Sequence, residues 1–276
     1  MEDVLAKLLA AQAELTPQFK ALSATMSSLK TAVRLAGEEK ADALPMHKAL
    51  TKLETAAADV ESETLDAAVS SFAAATQAAL DDLAFAFAKD LREEFEKRGE
   101  TVEGRPPVLA VGDLTFKIEM ASRKGQWLYG KEPLTKPIPL SLTGILKAYD
   151  QQAKRITARK LEEAFLPELQ KAWQDCVDKR KQRPSGGRIN IIEVYSQLIL
   201  NRQNARFWNQ PSRSTFKDYE RELFVRDLVL AQVQGDAPFN LGVATKNQTE
   251  QTSRSLWLPE TAVSGQYYSE ITFAEG

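Results

Sequence analysis

Apolar residues recur every seven positions along the first 35 residues of the chain. One row consists of leucines, and a second row with the same period holds larger or branched side chains and one glutamine. The two rows are Leu8, Leu15, Leu22 and Leu29, and then Leu5, Gln12, Phe19, Met26 and Val33. This spacing predicts a helix over residues 3–35 with the a/d seam of a coiled coil.

Pro17 interrupts this pattern and leaves two interpretations open. It could be the first residue of a second helix capped by Thr16, because proline fits the first turn of a helix. Alternatively, it could kink one long helix, because it removes a backbone hydrogen bond.

Two further Ala-rich helices are predicted in the first 100 residues. Gly37 ends the first helix, a second begins near Pro45, and a third covers 62–97 before Gly99. Short connections indicate an antiparallel, coiled-coil-like helical arm over residues 1–100, arranged as a bundle or a long hairpin. Because alanine contributes little burial, we expect the arm to need a partner.

The pattern changes at Glu100–Pro107, which predicts a boundary and a second domain over 101–276. Alternating residues over 108–129 predict a three-stranded meander. Helices are expected over 142–166 and 168–182, divided at Pro167. Near the end, strands are expected within 239–273, at 239–244, 255–258 and 266–273.

Residues 191–233 have the pattern expected of the centre of this second domain. Asn190 and Glu193 have the spacing of a capping box, followed by one apolar helical face. Ser214 is the expected N-cap of a second helix, whose 223–231 segment is apolar on nearly every side and therefore buried. The predicted fold class is α+β, mostly α, with strands flanking a central helical core within helices 142–233.

Charge is distributed unevenly over the two parts. Residues 1–100 hold 18 Asp and Glu against 11 Lys and Arg, a balance of −7. Residues 101–276 hold 20 against 25, a balance of +5. A single cysteine, Cys176, favours a reducing compartment, and acidic residues interrupt any leader-like pattern at the N-terminus. We therefore expect a cytoplasmic protein that does not enter a membrane.

Residues for common catalytic chemistry are scarce. The chain has one histidine, His47, and one cysteine, so a histidine-dependent triad or a structural zinc site lacks its components. The carboxylate pair Asp81–Asp82 diverges by about 100° on a helix and cannot converge on one ion. We predict no catalytic residue, no metal ligand and no cofactor, and the pattern favours a non-enzymatic protein over an enzyme.

Basic residues are concentrated between 147 and 188, where they could neutralise phosphates. The candidates for nucleic-acid binding are Lys154, Arg155, Arg159, Lys160, Lys179, Arg180, Lys181, Arg183 and Arg188. The order of elements over 168–258 is also that of a winged helix, with Arg213, Lys217 and Arg221 on its recognition helix. Asp218, Glu220 and Glu222 on the same helix would repel phosphates.

Apolar and aromatic residues indicate protein contact instead. The candidates are Leu8, Leu15, Phe19, Leu22, Met26 and Leu29 in the first helix, with Arg206, Phe207 and Trp208 in the second domain. We predict an intracellular interaction or accessory subunit that docks through residues 3–35 onto itself or a larger complex. The alternative is a nucleic-acid-binding accessory subunit that works with a separate ATPase or nuclease.

Overall fold

A computed structural model describes residues 1–38, 42–182, 184–235 and 237–273. It is 54% helix and 16% strand, which confirms the α+β, mostly α class. The chain divides into two compact units. The first comprises Met1–Leu91 and Ile118–Lys124, and the second comprises Arg92–Lys117 and the chain from Gly125 onward. The domain boundary at residues 100–107 stays a prediction.

Three helices begin the chain: α1 (Glu2–Ala36), α2 (Ala43–Ala57) and α3 (Glu63–Glu96). α1 is one continuous helix with Pro17 inside it, so the two-helix interpretation is wrong. The hydroxyl of Thr16 donates to the carbonyl of Gln12 at 2.6 Å, one turn back, and does not cap a new helix. Pro17 therefore removes one backbone hydrogen bond from the interior of α1.

α1 and α2 form an antiparallel hairpin through one side of each helix. The hydroxyl of buried Thr25 donates to the carbonyl of Ala56, at the far end of α2, at 2.6 Å. The hairpin core, which also receives one aromatic side chain from α3, contains Ala32, Leu35, Met46, Ala49, Leu50, Leu53 and Phe72. The predicted antiparallel arm is therefore present. Its core is built from two alanines, three leucines, one methionine and one phenylalanine.

The first sheet of the chain has six strands, in the order β1–β2–β3–β4–β5 with β6 beside β4. The strands are β1 (Val102–Arg105), β2 (Val108–Val111), β3 (Leu114–Glu119), β4 (Lys124–Tyr129), β5 (Glu132–Pro133) and β6 (Ile138–Pro139). The predicted meander corresponds to β2, β3 and β4. Gly125 is required in it, because a Cβ there would lie 2.1 Å from the Phe116 ring. Trp127 packs beside that ring at 4.9 Å and donates to the carbonyl of Ile145 at 3.1 Å.

Helices and a second sheet complete the second unit. The helices are α4 (Leu142–Gln152), which continues as a π-helical turn over Ala153–Thr157, α5 (Phe165–Asp178), α6 (Ile191–Asn201), α7 (Ala205–Asn209) and α8 (Arg221–Val233). The strands are β7 (Ile189–Asn190), β8 (Phe239–Val243), β9 (Leu256–Pro259) and β10 (Gly265–Phe273). β10 pairs antiparallel with each of the other three.

The predicted centre of the second unit is confirmed, with a corrected detail at its start. Asn190 caps α6 by accepting from the N–H groups of Ile192 and Glu193 at 2.9 and 3.4 Å. The carboxylate of Glu193 does not complete the capping box, because it pairs with Arg180. Val194 and Leu198 of α6 and Phe224 of α8 are fully buried, so the two helices form a core.

Two helix boundaries were predicted wrongly. Pro167 does not divide the helices of 142–182: it lies in the first turn of α5, where the helix needs no N–H donor from it. α8 begins at Arg221 and not at Ser214. The side chain of Gln203 bonds both the N–H and the carbonyl of Lys217, each at 2.8 Å, which satisfies that backbone outside a helix. The short helix α7 precedes the loop that contains Lys217.

A test of the hairpin core replaces Leu53, which is 1% exposed, with alanine. We expect Leu53→Ala to lower the free energy of unfolding of the hairpin by about 2–5 kcal/mol, because it leaves a cavity. Hydrogen exchange of the α2 amides measures this free energy. The matched Glu54→Ala, at an exposed position of α2, should change it by less than about 0.5 kcal/mol. Equal effects of the two substitutions would contradict this assignment of the core.

Candidate functional site

The apolar row of α1 is exposed to solvent. We call it the α1 seam and define it as Leu5, Leu8, Gln12, Leu15, Phe19, Leu22 and Met26. The exposed fractions of its six apolar side chains range from 49% for Met26 to 73% for Phe19. Leu29, which was predicted to belong to this surface, instead packs partly against the hairpin core. Monomeric proteins seldom leave such a contiguous apolar surface in water unless it binds something.

α2 does not cover the seam, because it packs on another side of α1. The buried residues of α1 are Thr25, Ala32 and Leu35. At 100° per residue, their mean direction lies roughly 140° around the helix from that of the seam. Val33, which continues the seventh-residue repeat, remains 68% exposed beside this contact. The heptad repeat therefore does not encode the α1–α2 hairpin.

The first 20 residues of α1 are exposed on every side. A helix in a protein gains most of its stability from tertiary packing and not from the propensity of its residues. Within the described residues, this half of α1 obtains no such packing. The seam therefore lies on a helix that a partner would stabilise.

A second exposed apolar patch surrounds α7, where Arg206, Phe207 and Trp208 were predicted to contact a partner. Asn204 caps this helix by accepting from the N–H of Phe207 at 3.1 Å. The Phe207 ring lies 5.2 Å from that of Trp208 and 5.6 Å from that of Phe216. Trp208 is 56% exposed and Phe216 40%. Phe216 was missed in the sequence because it lies in a loop without periodicity.

The structure places several predicted nucleic-acid-binding arginines in ion pairs. Arg159 contacts both carboxylate oxygens of Asp227, at 2.6 and 2.7 Å. This hydrogen bonding raises the pKa of Arg159 above its ordinary value. Arg155 pairs with Glu222 at 2.8 Å and also with Glu220. These pairs attach the π-helical turn after α4, and the residues that follow it, to the start and middle of α8, so the two arginines support the fold.

The other basic candidates are more exposed. Arg180 pairs with Glu193, Lys179 donates to Gln197, and the guanidinium of Arg188 lies 4.0 Å from Glu270. Three lysines, Lys154, Lys160 and Lys181, are exposed. Arg183 lies outside the described residues.

The buried carboxylate of Asp227 organises this region of the second unit. Besides Arg159, it accepts from the hydroxyl of Tyr219 at 2.5 Å, and it is 1% exposed. Burial, with Asp227 as the next cause, raises the pKa of Tyr219 far above its ordinary value. Arg202 covers the Tyr219 ring at 4.1 Å and pairs with Glu168 at 2.7 Å. The sequence shows none of these partners, because they are up to 68 residues apart.

The arrangement expected for a winged helix changes with the new boundary of α8. Arg213 and Lys217, expected on the recognition helix, lie in the loop before it. Arg221 is the first residue of α8 and bonds Glu132 at 2.8 Å and the carbonyls of Thr252 and Ser255 at 2.6 and 2.8 Å. Its guanidinium therefore stabilises the loop before β9.

The single histidine and the single cysteine of the chain lie on different helices. His47 lies on α2 and Cys176 on α5, in different units. Burial is the main cause that raises the pKa of the Cys176 thiol to about 11. Within the described ranges, no group of three or more His, Cys, Asp or Glu side chains could hold a metal ion. Nor does any helix of these ranges have the length and apolar character needed to cross a membrane.

Comparison of the chain with protein-family models, curated proteins and solved structures gives no match.

The ion pair of Asp227 can be tested by replacing its charge alone. We expect Asp227→Asn to lower the free energy of unfolding of the second unit by about 2–4 kcal/mol, because a mostly buried guanidinium loses its counter-charge. The matched Glu193→Gln, which removes the more exposed partner of Arg180, should cost less than about 1 kcal/mol. Urea unfolding followed by tryptophan fluorescence measures both. A larger cost for Glu193→Gln would show that the buried pair does not organise this unit.

The thiol of Cys176 should be nearly unreactive in the folded protein. A pKa of about 11 leaves about one thiol in a thousand ionised at pH 8, and the thiolate is the reacting form. We expect an aromatic disulfide reagent to react at least about 100-fold faster after denaturation than before. Complete reaction of the native chain within minutes would contradict this.

Proposed function

We propose that this protein is a non-enzymatic interaction subunit that docks onto a protein partner through the α1 seam. The observation that carries this proposal is the exposure of the six apolar seam residues on a face that α2 leaves uncovered. A surface made of one helix with this periodicity fits a partner helix, because a/d side chains insert between four residues of a facing helix.

The energetics of the seam favour association. Complete burial of a leucine-sized side chain contributes about 1.5–3 kcal/mol. Because roughly half of each seam side chain remains to be buried, the six together could supply on the order of 5–9 kcal/mol. Association costs about 4–15 kcal/mol because the two chains lose translational and rotational freedom. With a similar contribution from the partner's side chains, the gain becomes about 10–18 kcal/mol, which covers most of this range of costs.

The nucleic-acid alternative is less well supported by the same geometry. Arg155 and Arg159 are held by carboxylates of α8, and Arg180 by Glu193. A guanidinium in an ion pair must exchange its carboxylate for a phosphate, which reduces the gain from binding. We place the docking role in the cytoplasm, because a single buried thiol fits a reducing compartment.

The docking proposal is tested by placing charge in the seam. Leu15→Asp combined with Leu22→Asp should release the chain from its complexes, because two carboxylates would be buried in an apolar contact. The measurement is the apparent size of the tagged chain on gel filtration of extracts from its own cells. Wild type should elute as an assembly and the double variant at the size of one chain.

The matched control, Ala6→Asp with Ala13→Asp, adds the same two charges to a side of α1 that is turned away from the seam. It should elute like wild type, although alanine is the better helix former and its loss costs more helicity. Unchanged size of the Leu15→Asp, Leu22→Asp variant would remove the seam from the docking function. Circular dichroism of both variants checks that α1 remains helical.

A further inference from the structure

Gln12 is the one polar residue of the α1 seam. It occupies an a position, with leucines at the neighbouring d positions Leu8 and Leu15. A single polar residue at an a position weakens a coiled coil and selects its register, because it must find a polar group across the interface. The partner of the seam must therefore present a polar side chain opposite Gln12.

The positions that flank the seam carry no charge. The e and g positions of residues 4–26 are Val4, Leu9, Ala11, Thr16, Gln18, Ser23 and Thr25. Coiled coils select foreign partners largely through charged pairs at these positions. The charged residues of this segment lie further out, and Lys7 is paired with Asp3 of the same helix at 2.8 Å. Nothing on the flanks opposes a second copy of the same sequence or selects a different one.

Neither Pro17 nor α2 obstructs a helix on the seam. Pro17 occupies an f position, roughly 170° around α1 from the seam. The first buried residue of α1 is Thr25, the last of the flanking positions, so the flanks of the seam from Val4 to Ser23 remain exposed. The three d positions of the seam, Leu8, Leu15 and Leu22, are leucine, the residue that parallel two-stranded coiled coils prefer there.

We propose that the α1 seam binds the α1 seam of a second copy of this chain, parallel and in register. This proposal rests on the docking function above and names the partner. In a parallel, in-register pair, the two Gln12 side chains meet and their amides can bond each other. In an antiparallel pair, an a residue faces a d residue, so each Gln12 would be buried against leucine. The parallel homodimer is the pairing of two such helices that satisfies both glutamines.

The first measurement is the mass of the purified full chain by light scattering. We expect twice the 30.7 kDa of one chain, and a return to one chain for Leu15→Asp with Leu22→Asp. Ala6→Asp with Ala13→Asp should remain dimeric. A monomer at concentrations near 100 µM would overturn the homodimer and leave the docking function to the assay in cell extracts. A dimer unaffected by the seam substitutions would place the interface elsewhere.

The second measurement establishes direction and register by disulfide formation. Gln12→Cys should cross-link two chains rapidly under mild oxidation, because facing a positions of a parallel pair come within the roughly 4.4–6.8 Å between Cα atoms that a disulfide spans. Ala13→Cys, on the outer side, is the matched control and should remain uncross-linked. A dimer in which the two variants cross-link equally, or in which Gln12→Cys does not, would overturn the parallel register.

The third measurement separates the role of Gln12 from simple burial. Gln12→Leu should tighten the dimer at least tenfold and admit other registers or higher oligomers, because the polar restriction is removed. Sedimentation at several concentrations reports both changes. Unchanged affinity and a single dimeric state in Gln12→Leu would contradict a facing pair of glutamines.

Discussion

A helix that packs against a single neighbour can bury only one of its sides. α1 has apolar residues on two sides, so one of them stays exposed. The side with Thr25, Ala32 and Leu35 is used inside the chain, where small residues let α2 approach closely. The side with the larger leucines and Phe19 is left in water. Because of this division, the hairpin has a small core, and the first half of α1 packs against no other residue of the described chain. In the docking that we propose, the larger side chains serve association and the smaller ones serve folding.

In the second unit, the dominant constraint is a buried charge. Asp227 lies inside α8, where an uncompensated carboxylate would be costly, and Arg159 and Tyr219 neutralise and bond it. This requirement ties the turn after α4 and the loop before α8 to one another. It also gives part of the basic 147–188 segment a structural role. Arg155 and Arg159, which in the sequence resemble phosphate-binding residues, instead pair with carboxylates of α8.

Periodicity predicts an element well where one face is buried along its whole length. The prediction therefore succeeded for α3, the strand at Leu114–Glu119 and the start of α6 at Asn190. It failed where side chains distant in sequence satisfy the backbone, as Gln203 does for Lys217. The predicted helix boundary at Pro167 was wrong because the start of α5 was not known from the sequence. α5 begins at Phe165, so the N–H that Pro167 lacks would lie in the first turn, where it has no partner within the helix.

The sequence by itself determined the fold class, most of the strands and helices, and the apolar rows of α1, because these depend on local spacing of side chains. It also identified Leu8, Leu15, Phe19, Leu22 and Met26 as candidates for contact, but not whether the chain covers them itself. Only the tertiary structure decided that α2 binds the other face, that Leu29 joins the core and that Arg155 and Arg159 are paired. The physical reason is that burial and ion pairing depend on residues brought together from distant parts of the chain, whereas periodicity reports only the side of an element on which a residue lies.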